Sequence, residues 1–151
     1  VITIDTDAFS SCLRVTDITI SEGVKTIGNS AFAHCNNLKN ITIPSSVTKL
    51  DKEAFIESTG EAIINCNIPD TDTNQRGGFY NSSFTKITIG EGVTLIGKYT
   101  FYSCNKATDI SIANSVKTIG KYAFWNCTGL TNVTIPDGVT NLGEGAFWEC
   151  I

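Results

Sequence analysis

The sequence contains no methionine, three prolines, one histidine and only 11 lysines and arginines among 151 residues. Each shortage removes a class of function. With 15 acidic residues against those 11, the formal net charge is −4 and the isoelectric point about 4.9, and the basic residues are scattered rather than gathered into a stripe. Nucleic acids and anionic membranes are bound by concentrated positive charge, so neither is an expected partner. No stretch approaches the roughly 18 apolar residues of a membrane span, and no basic-then-apolar leader opens the chain. The lack of methionine, even at residue 1, fits a processed or excised piece. His34, the sole histidine, has no serine, cysteine or aspartate arranged beside it as a nucleophile, and is expected at the surface rather than in catalysis. With no acid–base pair, phosphate loop or metal cluster in sight, an enzyme is not expected, nor a cofactor.

Against these absences stands a repeat. Ile18-Thr19-Ile20, Ile41-Thr42-Ile43, Ile87-Thr88-Ile89, Ile110-Ser111-Ile112 and Val133-Thr134-Ile135 are one triplet recurring at multiples of 23 residues. A fixed period of this length is the signature of a solenoid, in which each unit buries its apolar face against its neighbours. The 41% hydrophobic content is enough for a series of small stacked cores. Each full repeat reads Ala-Phe-x-x-Cys-x-x-Leu-x-x-Ile-Thr-Ile-x-x-x-Val-x-x-Ile-Gly with small departures, anchored by Phe9, Phe32, Phe55, Phe101, Phe124 and Phe147. Val1-Ile2-Thr3-Ile4 falls in register with the later half of the repeat, so the chain begins partway through one.

Within a repeat, alternation of apolar and hydroxyl residues in the triplet predicts a short strand with two side chains inward and one outward. Stacked copies then form a parallel sheet bearing an exposed ladder of Thr19, Thr42, Thr88, Ser111 and Thr134, flanked by the mixed polar row Asp17, Asn40, Lys86, Asp109 and Asn132. Pro44 and Pro136 stop the pairing and turn the chain. A second extended piece, Val-x-x-Ile, ends at Gly28, Gly97, Gly120 or Gly143. The i, i+3 spacing of phenylalanine and cysteine in Ala-Phe-x-x-Cys predicts one helical or 3-10 turn facing the core. The regularity breaks between Glu57 and Phe84. Ile64 and Cys66 are expected at the triplet positions there, followed by a polar bulge over 67–78, with the pattern resuming at Phe79 or Phe84. The whole of 1–151 is read as one solenoid with an irregular repeat and polar loop at 57–84, drawn from a longer array because neither end carries a polar cap.

At this point the residues carry a resemblance. The run from Ala31 to Val47, and again from Ala123 to Gly143, resembles the BspA-like class of leucine-rich repeat, in which Ala-Phe, Cys and Ile-Thr-Ile-Pro recur together. Asn65-Cys66-Asn67-Ile68-Pro69 followed by Gly78-Phe79-Tyr80 is similar to a variant repeat of that class. The resemblance implies a right-handed leucine-rich-repeat solenoid, here of about six and a half coils with short parallel strands. It also implies a cell-surface or secreted protein of host-associated microbes, often adhesive toward host extracellular proteins or other cells, and the expectation drawn here is a module binding an extracellular or cell-surface protein or glycan. The class has no common catalytic residue, so no such assignment carries over.

Several constellations compete for function. Cys12, Cys35, Cys104, Cys127 and Cys150 share one repeat position, with Ser58 where another is due and Cys66 elsewhere. Equivalent thiols on adjacent coils point the same way, which suits buried free thiols better than disulfides or a tetrahedral zinc site, so no metal is expected. Asp70, Asp72 and Asn74 have the alternating oxygen spacing that opens a calcium loop, but Gln75 stands where a turn glycine is needed and Asn81 replaces the closing glutamate. A solvated loop is the expectation. The residue after each anchor phenylalanine changes along the chain from Ser10, Ala33 and Ile56 to Tyr80, Tyr102, Trp125 and Trp148, with Tyr99 and Tyr122 beside them. These rings either shield the coil edges or form a binding stripe. The hydroxyl ladder and this stripe are the two candidate ligand-binding surfaces. A spacer or self-assembling scaffold, associating end to end, is the alternative to a binding module.

Overall fold

Alternating triplets become strands because one face of each can be buried and the other solvated, and the stacking of coils supplies the pairing partners. The structure, a computed structural model, describes residues 1–70 and 76–150. Among these, the strands in chain order are β1 (Thr3–Ile4), β2 (Asp17–Thr19), β3 (Thr26–Ile27), β4 (Asn40–Ile43), β5 (Lys49–Leu50), β6 (Thr59–Ile64), β7 (Ser83–Ile89), β8 (Leu95–Ile96), β9 (Asp109–Ile112), β10 (Thr118–Ile119) and β11 (Asn141–Leu142). The triplets build a five-stranded parallel sheet in the order β2-β4-β6-β7-β9, and the second extended pieces build two three-stranded sheets, β1-β3-β5 and β8-β10-β11. The result is a parallel β-solenoid of about six turns. No helix among the described residues is long and apolar enough to cross a membrane.

The core is a column. Phe9, Phe32, Phe55, Phe79, Phe101, Phe124 and Phe147 stack with ring centroids 4.9–5.2 Å apart, and interplanar angles between successive rings run from 2° to 25°. That spacing is the strand-to-strand distance of a sheet, so one ring per coil fills the interior at the pitch the backbone sets. Phe79 is therefore the anchor of the irregular coil. Phe84, also fully buried, meets Phe55 and Phe79 at angles of 57° and 60° rather than joining the stack.

The expected helical turn is absent among the described residues; the segment is a chain of reverse turns. Amides there alternate in their partners: Ala8, Ser10 and Cys12 N–H donate to the carbonyls of Asp5, Asp7 and Phe9, whereas Asp7, Phe9 and Ser11 N–H donate to Asn29, Ala31 and Ala33 on the next coil. The same alternation recurs in later coils. It is made possible by two left-handed residues per turn, such as Ser30 and His34 (φ 53° and 58°) or Tyr122 and Asn126 (φ 55° and 57°), which a helix forbids. Every second amide is thus spent on stacking, which the i, i+3 spacing of side chains does not reveal.

The irregular coil also departs from expectation. Ile41 pairs with Ala62 and Ala62 with Ile87, so Ala62 and Ile64 hold the inward triplet places, not Ile64 and Cys66. The first of these steps is two residues shorter than the period and the second two longer, so the phase recovers. At the join, Gly60 pairs with Phe84 and Glu61 with Lys86, leaving Thr85 as a bulge. On the second face Ile68 bridges to Ile96, and side chains replace the missing backbone. Asn67 Oδ1 accepts from the amides of Thr94 (2.7 Å) and Leu95 (3.1 Å), the role that Lys25 O plays for Thr48 and Lys49 in a regular coil. Asp70 accepts the Lys98 amide at 2.8 Å and pairs with its ammonium at 2.9 Å. Partial burial works against its charge, but these contacts hold the carboxyl below its ordinary range. Asp72, Asn74 and Gln75, the rest of the calcium-like pattern, lie outside the described residues.

Candidate functional site

Two surfaces were expected to carry function, and the coils treat them differently. On the sheet face, Thr19 lies beside Thr42 and Thr88 beside Ser111, but Ile63 stands between Thr42 and Thr88 in the paired register. The two-residue phase shift in the irregular coil places that isoleucine outward, 42% exposed. Thr134 falls outside any strand: residues 133–135 are unpaired, Val133 and Ile135 are exposed, and a cavity of about 320 Å³ opens between residues 132–134 and β9. The hydroxyl ladder is therefore two short pairs rather than a continuous row. The polar row beside it continues through Asp17, Asn40, Glu61, Lys86 and Asp109, mixed in sign.

The aromatic residues, by contrast, are brought together. Tyr80 precedes β7, Tyr99 and Tyr102 lie in the turn between β8 and β9, Tyr122 and Trp125 follow β10, and Trp148 follows β11. Because the turn repeats at the coil pitch, rings of successive coils meet. Tyr80 and Tyr102 stack at 5.8 Å and 27°. Beyond them the rings tilt: Tyr102 and Trp125 meet at 4.2 Å and 56°, Tyr99 and Tyr122 at 5.5 Å and 41°, and Tyr122 and Trp148 at 6.3 Å and 39°. Tilted walls leave a hollow. Tyr99, Tyr102, Tyr122, Trp125 and Trp148 line a cleft of about 170 Å³, room for a single ring-sized or branched group.

Backbone conformation holds these walls. Tyr99 and Tyr122 sit at φ 56° and 55°, a left-handed geometry that bulky residues rarely adopt and that the alternating turn imposes at this position. In the next coil the same position is Gly145 at φ 60°, and a β-carbon there would come within 2.3 Å of the Tyr122 ring. Its missing side chain gives Tyr122 its seat and keeps the floor beside Trp148 open. Sequence reading noted Tyr99 and Tyr122 but passed over Gly145, whose only signal was a glycine two residues before an anchor phenylalanine.

Charge gathers at the rim. Lys121 Nζ lies 4.8 Å from the Tyr122 ring centroid and 2.7 Å from Glu144 Oε2, while the Tyr122 hydroxyl donates to Glu144 Oε1 at 3.1 Å. The Lys121 ammonium and then the Tyr122 hydroxyl hold the Glu144 carboxyl below its usual range. At the other end Arg76 lies over the Tyr80 ring at 5.6 Å and pairs with Glu53 at 2.6 Å. The Tyr102 phenol is pushed up by burial, then by the neighbouring Tyr80, Glu149 and Tyr99. The Trp125 indole nitrogen is buried with no hydrogen-bond partner among the described residues, and Trp148 is 59% exposed. The stripe thus both covers the coil edges, through Trp125, and presents open rings, through Trp148.

Comparison with known proteins agrees with this architecture. Six copies of the BspA type leucine rich repeat region match residues 2–76 and 72–151. Among solved structures, the leucine rich repeat protein of T. pallidum superposes with a TM-score of 0.71 at 22% identity, over 99% of this chain and 70% of that one. A leucine-rich repeat protein from Eubacterium ventriosum gives 0.56 at 27% identity, over 88% of this chain and 42% of that one. A leucine rich cell surface protein from Faecalibacterium prausnitzii gives 0.56 at 25% identity, over 98% and 40%. The chain therefore spans about two fifths of the length of the latter two proteins. No curated protein matches it in sequence.

Proposed function

The chain belongs to the family of BspA-type leucine-rich repeats, and from that premise we propose that it is a binding module of a cell-surface or secreted protein, engaging an extracellular protein or glycan through the aromatic cleft. The observation that carries this reading is the convergence of Tyr99, Tyr102, Tyr122, Trp125 and Trp148 on one open hollow. Large, rigid, partly exposed aromatic surface is what binding hot spots are made of, because it buries much apolar area at little cost in side-chain entropy. The interrupted ladder of Thr19, Thr42, Thr88, Ser111 and Thr134 is the weaker surface. Its hydroxyls are divided by Ile63, and Thr134 lies outside the paired strands. The neighbour described as a cell surface protein supports the location.

The test is capture. The purified chain is screened against immobilised extracellular-matrix proteins and glycans, and the Trp125→Ala variant is compared on whichever ligand it holds. Loss of capture of at least tenfold, by a variant with an unchanged circular dichroism spectrum, is the expected outcome. Equal capture by a folded variant removes the cleft as the binding surface.

A further inference from the structure

We infer that the cleft receives a basic side chain, lysine or arginine, presented by a partner protein. The inference rests on the binding-module reading above and names the chemistry of what enters. Three features of the cleft point to a cation.

The first is the lining. Among the described residues only tyrosine and tryptophan line the cleft, with no asparagine, aspartate, glutamine or arginine in its walls. A sugar ring buried there would lose hydroxyl–water hydrogen bonds that the walls replace only through phenol groups, a loss that is expensive in an apolar site. The indole nitrogen of Trp125 does not help, because it is buried. A cation asks for something else: the negative faces of several rings at angles to one another, which neighbouring rings tilted by 39–56° provide.

The second is charge. At one wall of the hollow Glu144 accepts from the Tyr122 hydroxyl through one oxygen and pairs with Lys121 through the other, in a chain of net charge −4. Lys121 is the one basic group in contact with a wall ring among the described residues, and its ammonium is already paired with Glu144. The third is precedent within the stripe. Two of its tyrosines already carry a cation of the chain itself over the ring, Tyr122 under Lys121 and Tyr80 under Arg76. Tyr102, Trp125 and Trp148 are in ring contact with them, and Trp148 is 59% exposed.

Trp125 and Trp148 are the only tryptophans, so their two indole N–H signals in a proton–nitrogen NMR spectrum report the site directly. The chain is titrated with the tripeptide acetyl-Gly-Lys-Gly-amide, its arginine counterpart, and the norleucine counterpart that keeps the methylene stem but lacks the ammonium. Cellotetraose serves as the neutral sugar. Saturable shifts of the indole signals by the lysine and arginine peptides, at least tenfold weaker with norleucine and at least tenfold weaker in the Trp148→Ala variant, are the expected result. Equal shifts from the norleucine peptide, shifts from cellotetraose alone, or no shift from any probe would overturn the cation assignment. The two readings separate cleanly: a Trp125→Ala variant that loses capture of a macromolecule while no basic peptide binds leaves the binding module intact and removes only the cation.

Discussion

At the scale of single residues, the cysteine ladder is a hydrogen-bonding device. Cys35, Cys104, Cys127 and Cys150 each donate the thiol to the carbonyl of the anchor phenylalanine one coil back, at 3.0–3.3 Å, and Ser58 donates its hydroxyl to Phe32 in the same way. The position therefore calls for a small, buried donor, which sulfur and oxygen both supply. Cys66 stands apart: it is buried off the ladder, and burial pushes its thiol up to about 11. Changing Cys127 to serine keeps the donor to Phe101 and is expected to alter stability by less than about 1 kcal/mol. Changing it to alanine removes the donor and the sulfur's packing together, at a cost of about 1–3 kcal/mol. Urea unfolding of the two variants checks this. A serine variant as unstable as the alanine one would refute the donor role.

Among elements, the start of β6 packs tightly against the chain entering β4. Gly60 takes φ 102°, and a β-carbon there would stand 2.4 Å from the Lys39 carbonyl oxygen. Gly92 takes a similar φ of 93° with nothing within 4 Å of its β-carbon position. The pair separates conformational strain from collision. Gly92→Ala is expected to cost about 1–3 kcal/mol, the strain of a left-handed residue alone. Gly60→Ala adds a backbone clash on top of that strain and should cost more than about 4 kcal/mol, or prevent folding at 37 °C. Thermal unfolding of both reads the difference, and equal losses would mean that the bulge relaxes around a methyl group. Asn67 and Asp70 show the complementary device, side-chain oxygens standing in for a strand that the irregular coil lacks.

For the whole molecule, continuity runs through the phenylalanine column. The five-stranded sheet crosses the irregular coil, but the second face is split into two sheets, and among the described residues Ile68 of the irregular coil bridges to Ile96 of the second sheet and to no strand of the first. Phe79 is the ring that carries the stack from Phe55 to Phe101. In a solenoid each unit is stabilised by its neighbours, so weakening the middle uncouples the ends. Phe79→Ala, a loss of about 3–5 kcal/mol, is expected to divide one unfolding transition into two. Both tryptophans lie in the C-terminal coils, so their fluorescence follows that half while circular dichroism follows the whole. The two probes should coincide in the parent chain and separate in the variant; coincidence in both would mean that the sheet alone carries the coupling.

The sequence by itself determined the period, the inward and outward faces of the regular triplets, the anchor phenylalanines and the shared position of the thiols. These are legible because they depend on residues two or three apart, or on identities that recur at a constant interval. Tertiary structure decided the rest. Whether Ala-Phe-x-x-Cys forms a helix depends on amides that bond to a coil 22 residues away, and local spacing is silent on that choice. Where the triplet falls in the irregular coil depends on pairing between Ile41, Ala62 and Ile87, so the outward place went to Ile63 and the hydroxyl ladder was broken. And Tyr99, Tyr102, Tyr122, Trp125 and Trp148 became a cleft through the tilt of their rings, with Tyr99 and Tyr122 held left-handed and Gly145 leaving room for the Tyr122 ring, because the angle between two rings is fixed by the packing of coils and not by the residues that bear them.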